Sequence, residues 1–122
     1  MKVAVATDDG RSVSQDLASA KFFVVRSVRP SNPPGRELRL KPRHVESKWG
    51  SKDEPSLALL AREMVSSTGD CHLLVAGGAS RELHEGIVRA GRRMVLTDLV
   101  FVADVFKAAA EGNLDDHPER RR

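Results

Sequence analysis

The sequence predicts an α/β fold, with a mixed sheet covered by helices on both faces. Three observations carry that expectation. Short apolar runs such as Val3-Ala4-Val5-Ala6, Phe22-Phe23-Val24-Val25 and Leu73-Leu74-Val75-Ala76 lack alternation, as strands buried on both faces do. Apolar positions recur with helical spacing in the segments that follow residue 54. One stretch, Glu37-Leu38-Arg39-Leu40-Lys41, alternates strictly and reads as a half-exposed edge strand.

In chain order, Val3-Ala4-Val5-Ala6 is a central strand that Thr7-Asp8-Asp9-Gly10 ends with turn residues. A polar connection over residues 11–21 leads to the second strand at Phe22-Phe23-Val24-Val25. Pro30-Ser31-Asn32-Pro33-Pro34-Gly35 is a dense turn signal before the alternating third strand. Residues 42–52 form a basic, irregular loop holding His44 and Trp49, with Arg43, Lys48 and Lys52 giving it a positive field. The loop is read either as a lid or partner contact or as a solvated connector.

Asp53 and Pro55 mark a helix start, and Leu57, Leu60, Ala61, Met64 and Val65 share one face of that helix. Gly69 closes it before the fourth strand at Leu73-Leu74-Val75-Ala76, which runs into Gly77-Gly78. Ser80 caps the next helix, whose inner face is Leu83, Ile87 and Ala90, and Gly91 ends it. Met94-Val95-Leu96 is the fifth strand, and Leu99, Val102, Ala103, Phe106 and Ala110 describe a last helix stopped by Gly112.

Strands joined by a tight turn pair antiparallel, whereas strands joined through a helix are parallel with a right-handed crossover. The expected result is a five-stranded mixed sheet of order 3-2-1-4-5 with strand 2 antiparallel. Its switch point lies between strands 1 and 4, where ligands of open α/β sheets bind. Thr7, Asp8, Asp9 and Gly10, Gly77 and Gly78, and Thr97 and Asp98 are delivered to that crevice.

With 122 residues the chain suits one core, read as a single domain over 1–114 followed by a polar, frayed tail at 115–122. Apolar residues make up 40% and charged residues 30%, a globular balance rather than a disordered one. No apolar run reaches a membrane span and no cleavable leader is read, so the cytoplasm is the expected location. Cys71 is the single cysteine, which excludes an intramolecular disulfide and a thiolate cage built from this chain alone. The net charge is only +3 and there is no Tyr, so nucleic-acid binding is not expected. A monomer or a weak homodimer through the open edge of the fifth strand is the expected state.

Residues 1–10 with Ser12-Val13-Ser14-Gln15, then Ala20-Lys21-Phe22-Phe23-Val24-Val25, resemble the opening of the dinitrogenase iron–molybdenum cofactor biosynthesis family. Residues 71–78, Arg89-Ala90-Gly91 and Val95-Leu96-Thr97 are similar to its second half. The resemblance implies a ribonuclease H-like three-layer fold and a carrier of iron–sulfur or iron–molybdenum cluster precursors, as in the nitrogenase accessory factors, working with a metalloenzyme-assembly protein. It also shows one departure. The family pattern Val-Ser-x-His-Phe-Gly reads Val13-Ser14-Gln15-Asp16-Leu17-Ala18 here, so a carboxylate stands where an imidazole ligand is expected, and carboxylate suits harder ions than iron.

The candidate ligand-binding residues are thus Thr7, Asp8, Asp9, Gly10, Ser14, Asp16, Gly77, Gly78 and Thr97. Gly77-Gly78 before a capped helix either cradles an anion or permits a tight turn. Asp8, Asp9 and Asp98 either gather as a metal site, the basis of a remote phosphodiesterase reading, or serve turn chemistry. His84 is the candidate metal ligand, against a helix-surface role. Cys71 and His72 point to opposite faces of a strand, and Cys71 reads as packing. No serine has an elbow or a partner for nucleophilic catalysis. The expected function is non-catalytic binding or carriage, with an interaction or regulatory module that has lost its cargo as the alternative.

Overall fold

In the computed structural model of the chain, residues 2–28, 36–39 and 54–121 are described. The elements are β1 (Lys2–Thr7), β2 (Phe22–Ser27), β3 (Arg36–Arg39), α1 (Glu54–Ser67), β4 (Leu73–Ala76), α2 (Arg81–Arg89), β5 (Arg93–Leu96) and α3 (Val102–Glu111), with 3-10 turns at Leu17–Ser19 and Pro118–Arg120. The turn expected at residues 30–35, the loop at 42–52 with His44 and Trp49, and Asp53 lie outside the described residues.

β1 is apolar from Val3 to Ala6, where each of its faces meets a helical layer. Ala4 and Ala6 share a cluster with Phe23, Leu74, Leu96, Ala61, Met64, Leu83 and Ile87, which is the α1 and α2 side. Val3 and Val5 pack with Val75, Val95, Val102, Val105 and Phe106 on the α3 side. The small residues of the first face let the helices approach closely. A Cβ on Gly86 of α2 would lie 3.0 Å from the Ala61 Cβ of α1, so glycine is required by that contact.

β1 pairs antiparallel with β2, from Lys2 opposite Ser27 to Thr7 opposite Phe22. It pairs parallel with β4, Val3 opposite Leu73 and Val5 opposite Val75, and β4 pairs parallel with β5. β2, β1, β4 and β5 lie side by side in that order, and the helices pack on them. The segment Arg36–Arg39 pairs antiparallel on the outer side of β2, which gives the strand order β3-β2-β1-β4-β5.

The last helix is also shifted in phase from its expected face. Leu99 precedes it, Val102, Val105 and Phe106 are its buried residues, and Ala103 and Ala110 are exposed. The spacing i, i+3, i+4 starting from Val102 is the true stripe. Gly112 ends the helix at φ +75°, the left-handed conformation that favours glycine. No described helix is long and apolar enough to cross a membrane.

Candidate functional site

The carboxyl ends of β1 and β4 lie side by side, and the chain between β1 and β2 folds back over them. Thr7, fully buried, organises the first turn: its hydroxyl donates to the Ser12 carbonyl at 2.6 Å and accepts the Gly10 N–H at 2.9 Å. Gly10 takes φ +82°, which this turn requires. Asp9 Oδ1 accepts the N–H groups of Arg11 and Ser12, each at 2.8 Å, and Asp8 Oδ1 accepts the Lys21 N–H at 3.1 Å. Asp9 is therefore used in turn chemistry, and Asp8 ties the turn to the chain just before β2.

The hydrogen bonds from Ser12 and Arg11 hold the Asp9 carboxyl below its ordinary value of 3.8. Because the folded value is depressed, these bonds stabilise the fold fully above pH 3.8 and are lost as pH falls through the lower folded value. Asp9→Asn is expected to flatten the dependence of stability on pH below 3.8, measured by acid unfolding of the variant beside the wild type.

Residues 13–17 then cross the end of the sheet. Val13 bridges Thr7, and Ser14 N–H donates to the Ala6 carbonyl at 2.8 Å. On the other side Gly77 N–H donates to the Ser14 carbonyl at 2.7 Å, and Leu17 N–H donates to the Gly78 carbonyl at 2.9 Å. The crevice between β1 and β4 is thus floored by the chain's own backbone, and the Gly77 amide is already committed. A Cβ at Gly77 would lie 2.5 Å from Gln15 Nε2, so the Gln15 side chain would have to swing aside.

Asp16 also has a local task. Its side chain caps the turn Leu17–Ser19, accepting from Ala18 N–H and from the Ser19 hydroxyl, each at 3.3 Å, while Ser14 Oγ donates to the Asp16 carbonyl at 2.9 Å. Beside this turn lies an open depression of about 310 Å³ lined by Asp8, Asp9, Ser12, Val13, Ser14, Gln15, Asp16 and Ser19. It holds four of the sequence-predicted residues: Asp8, Asp9, Ser14 and Asp16.

The other candidates are dispersed. Thr97, 1% exposed, accepts the Leu99 N–H on its hydroxyl at 3.1 Å and borders a second depression of about 430 Å³ with Asp98, Asp104, Lys107 and His117. His84 borders a groove of about 560 Å³ along β5 with Val88, Arg92 and Asp116. Burial and the neighbouring Arg121 lower the His84 pKa from 6.5, against opposing pulls from Asp116 and Glu85. Among the described residues no group of three or more His, Cys, Asp or Glu is placed to hold a metal ion. Cys71 is buried in the α1 and α2 core at the opposite end of β4, and the neighbouring His72 Nδ1 accepts the Lys2 N–H at 3.1 Å.

Sequence reasoning missed Gln15, Arg120, Asp116 and His117. Asp116 Oδ1 accepts the Leu96 N–H at 3.0 Å, His117 N–H donates to the Leu96 carbonyl at 2.8 Å, and Arg120 Nη1 donates to the Gly77 carbonyl at 3.2 Å. The segment read as a polar tail is therefore placed against β5 and the end of β4. Its residues carry no periodicity, so only the bare clustering of charge marked them.

Taken together, these features define a three-layer α/β domain with a small polar depression, framed by backbone and short polar side chains, at the carboxyl rim of its sheet. Solved structures share this architecture. The crystal structure of PH0822 superposes with a TM-score of 0.71 at 17% identity, covering 99% of this chain and 100% of that one. The crystal structure of a "putative dinitrogenase", MJ0327 from Methanocaldococcus jannaschii, gives 0.63 at 14% identity, over 96% of this chain and 94% of that one. Its NMR structure gives 0.61 at 15%, over 96% and 92%. At such identities the likeness establishes the fold. No family model and no curated protein matches the chain.

Proposed function

We propose that this chain is a non-catalytic cytoplasmic binding domain that carries a small metal centre, an iron–sulfur or iron–molybdenum cluster precursor. The observation that carries this reading is the depression lined by Asp8, Asp9, Ser12, Ser14, Asp16 and Ser19, preformed at the sheet's carboxyl rim. Its loop is held by the Thr7, Asp9 and Ser14 hydrogen bonds, so little ordering entropy opposes binding there. The fold shared with the M. jannaschii structures, described as a putative dinitrogenase, supports a dinitrogenase-related role.

A second reading, an interaction or regulatory module without cargo, is favoured by two observations. The Asp16 carboxylate caps a turn, and among the described residues no imidazole or thiolate lines the depression. Val100 and Phe101 are 57% and 55% exposed beside the same rim, where Phe101 bridges Ser12, and they offer apolar surface to a metalloenzyme-assembly protein.

Anaerobic mixing with ferrous iron and sulfide, followed by gel filtration with visible absorbance, separates the two. The carrier reading expects co-eluting colour in the wild type and stronger retention in Asp16→His, because imidazole suits iron better than carboxylate does. Absence of colour in both proteins, together with a specific partner in a pull-down, establishes the second reading instead.

A further inference from the structure

We infer that Asp116 and His117 cap the outer edge of β5 and hold the chain as a monomer, and that the uncapped edge pairs with a second copy of the chain. The inference goes beyond the binding reading and does not depend on what the rim carries. β5 ends the sheet, with β4 on its inner side. The outer side of such a strand presents backbone N–H and C=O groups that readily pair with another strand.

Alternation along β5 decides which groups face outward. Thr97 N–H donates to the Ala76 carbonyl at 2.9 Å, so Val95 and Thr97 turn their backbone groups toward β4, while Met94 and Leu96 turn theirs away. Just before the strand, Arg92 N–H is taken by the Ile87 carbonyl at 3.2 Å. Leu96 is closed on both groups, its N–H by Asp116 Oδ1 at 3.0 Å and its carbonyl by His117 N–H at 2.8 Å. His117 is held in that place between Asp98 at 3.4 Å and Glu119 at 3.0 Å. Among the described residues only Met94 of β5 keeps outward groups without a partner, and it lines the β5 groove with Val88, whose side chain is 50% exposed.

The same residues define the pairing that the cap prevents. A twofold axis through Val95 sets Met94 opposite Leu96 of the second copy and Leu96 opposite its Met94, and each pair exchanges both hydrogen bonds. In that register Arg92 and Arg93, at the start of one strand, meet Asp98 and Thr97 at the end of the other, so opposite charges face each other. The edge is therefore complementary to itself. With the cap in place both Leu96 groups are lost to this register. The other twofold register, through Met94, sets Arg92 of the second copy opposite Leu96, where Asp116 and His117 already stand. Neither register is open to the capped chain.

The test compares the full chain with Asp116→Ala/His117→Pro, which removes both the acceptor for Leu96 N–H and the donor to its carbonyl. Gel filtration with light scattering is expected to give the mass of one chain for the wild type at every loading concentration. The uncapped variant is expected to approach twice that mass as concentration rises, with its Met94 and Leu96 amides gaining protection from hydrogen exchange in step. Adding Arg93→Glu, at an exposed side chain, is expected to return the uncapped variant to one chain, because it sets like charges together. A folded uncapped variant that stays at one chain, or a wild type already dimeric with Met94 protected, overturns the cap. Assemblies larger than two chains, or a dimer that Arg93→Glu leaves intact, overturn the β5 pairing. If the double substitution unfolds the chain, Asp116→Ala alone frees the Leu96 N–H by a change at an exposed residue. Mass and Met94 protection that do not rise with concentration in that variant overturn the inference.

Discussion

Replacing Phe23 by Ala is expected to cost about 3–5 kcal/mol of stability, the range for deleting a buried aromatic ring from a packed core. Phe23 is fully buried and lies in the cluster that joins β1, β4 and β5 to α1 and α2. The neighbours that would have to collapse into the space belong to two helices already in close contact at Gly86 and Ala61, so relaxation is limited. At roughly 4 °C per kcal/mol for a domain of this size, the midpoint of thermal unfolding should fall by about 12–20 °C. Calorimetry on Phe23→Ala beside Phe23→Leu checks this, since leucine restores most of the volume and should recover most of the loss.

Thr7→Val is expected to have the largest effect at the rim. The substitution keeps the shape of the side chain but removes a buried hydroxyl, leaving the Gly10 N–H and the Ser12 carbonyl without their partner. Each lost partner costs about 1–3 kcal/mol, less where water reaches the group, so a total near 2 kcal/mol is expected. Thr7→Ser keeps the hydroxyl and should stay within about 1 kcal/mol of the wild type. The same variant tests whether the depression depends on this turn. Loss of order in residues 8–16, seen as faster amide exchange of Ser12 and Ser14, should accompany Thr7→Val and not Thr7→Ser.

The interior of the sheet was legible because its residues are constrained on both sides. A strand such as Val3-Ala4-Val5-Ala6 has no polar face to offer water, so its place between two layers follows from composition. Helix phase was harder to read in α3, where four alanines make the apolar stripe ambiguous: Val105 faces the core, while Ala103 and Ala110 do not. The alternating stretch at residues 37–41 overlaps the edge strand Arg36–Arg39, which pairs with β2.

The candidate site was legible only in part. Asp8, Asp9, Ser14 and Asp16 do border one depression, as their position after the first strand implied. Gly77, Thr97 and His84 do not join them, since the Gly77 amide is taken by Ser14, Thr97 lines a second depression and His84 faces the β5 groove. Asp16, at the position where the family pattern has its imidazole, caps a turn, a role a short-range pattern of Asp followed by a 3-10 turn can signal.

By itself the sequence determined which segments are buried, where the chain turns, and that a polar loop follows the first strand, because hydrophobic periodicity and turn chemistry act over a few neighbouring residues. Only the tertiary structure decided that residues 13–17 cross the carboxyl ends of β1 and β4, that Asp116 and His117 come back to Leu96 of β5, and that Arg120 comes back to Gly77. Those contacts join polar groups far apart in the chain, and the Arg120 contact to Gln15 spans 105 positions. A hydrogen bond between single polar groups leaves no repeating pattern in either segment, so nothing local announces it.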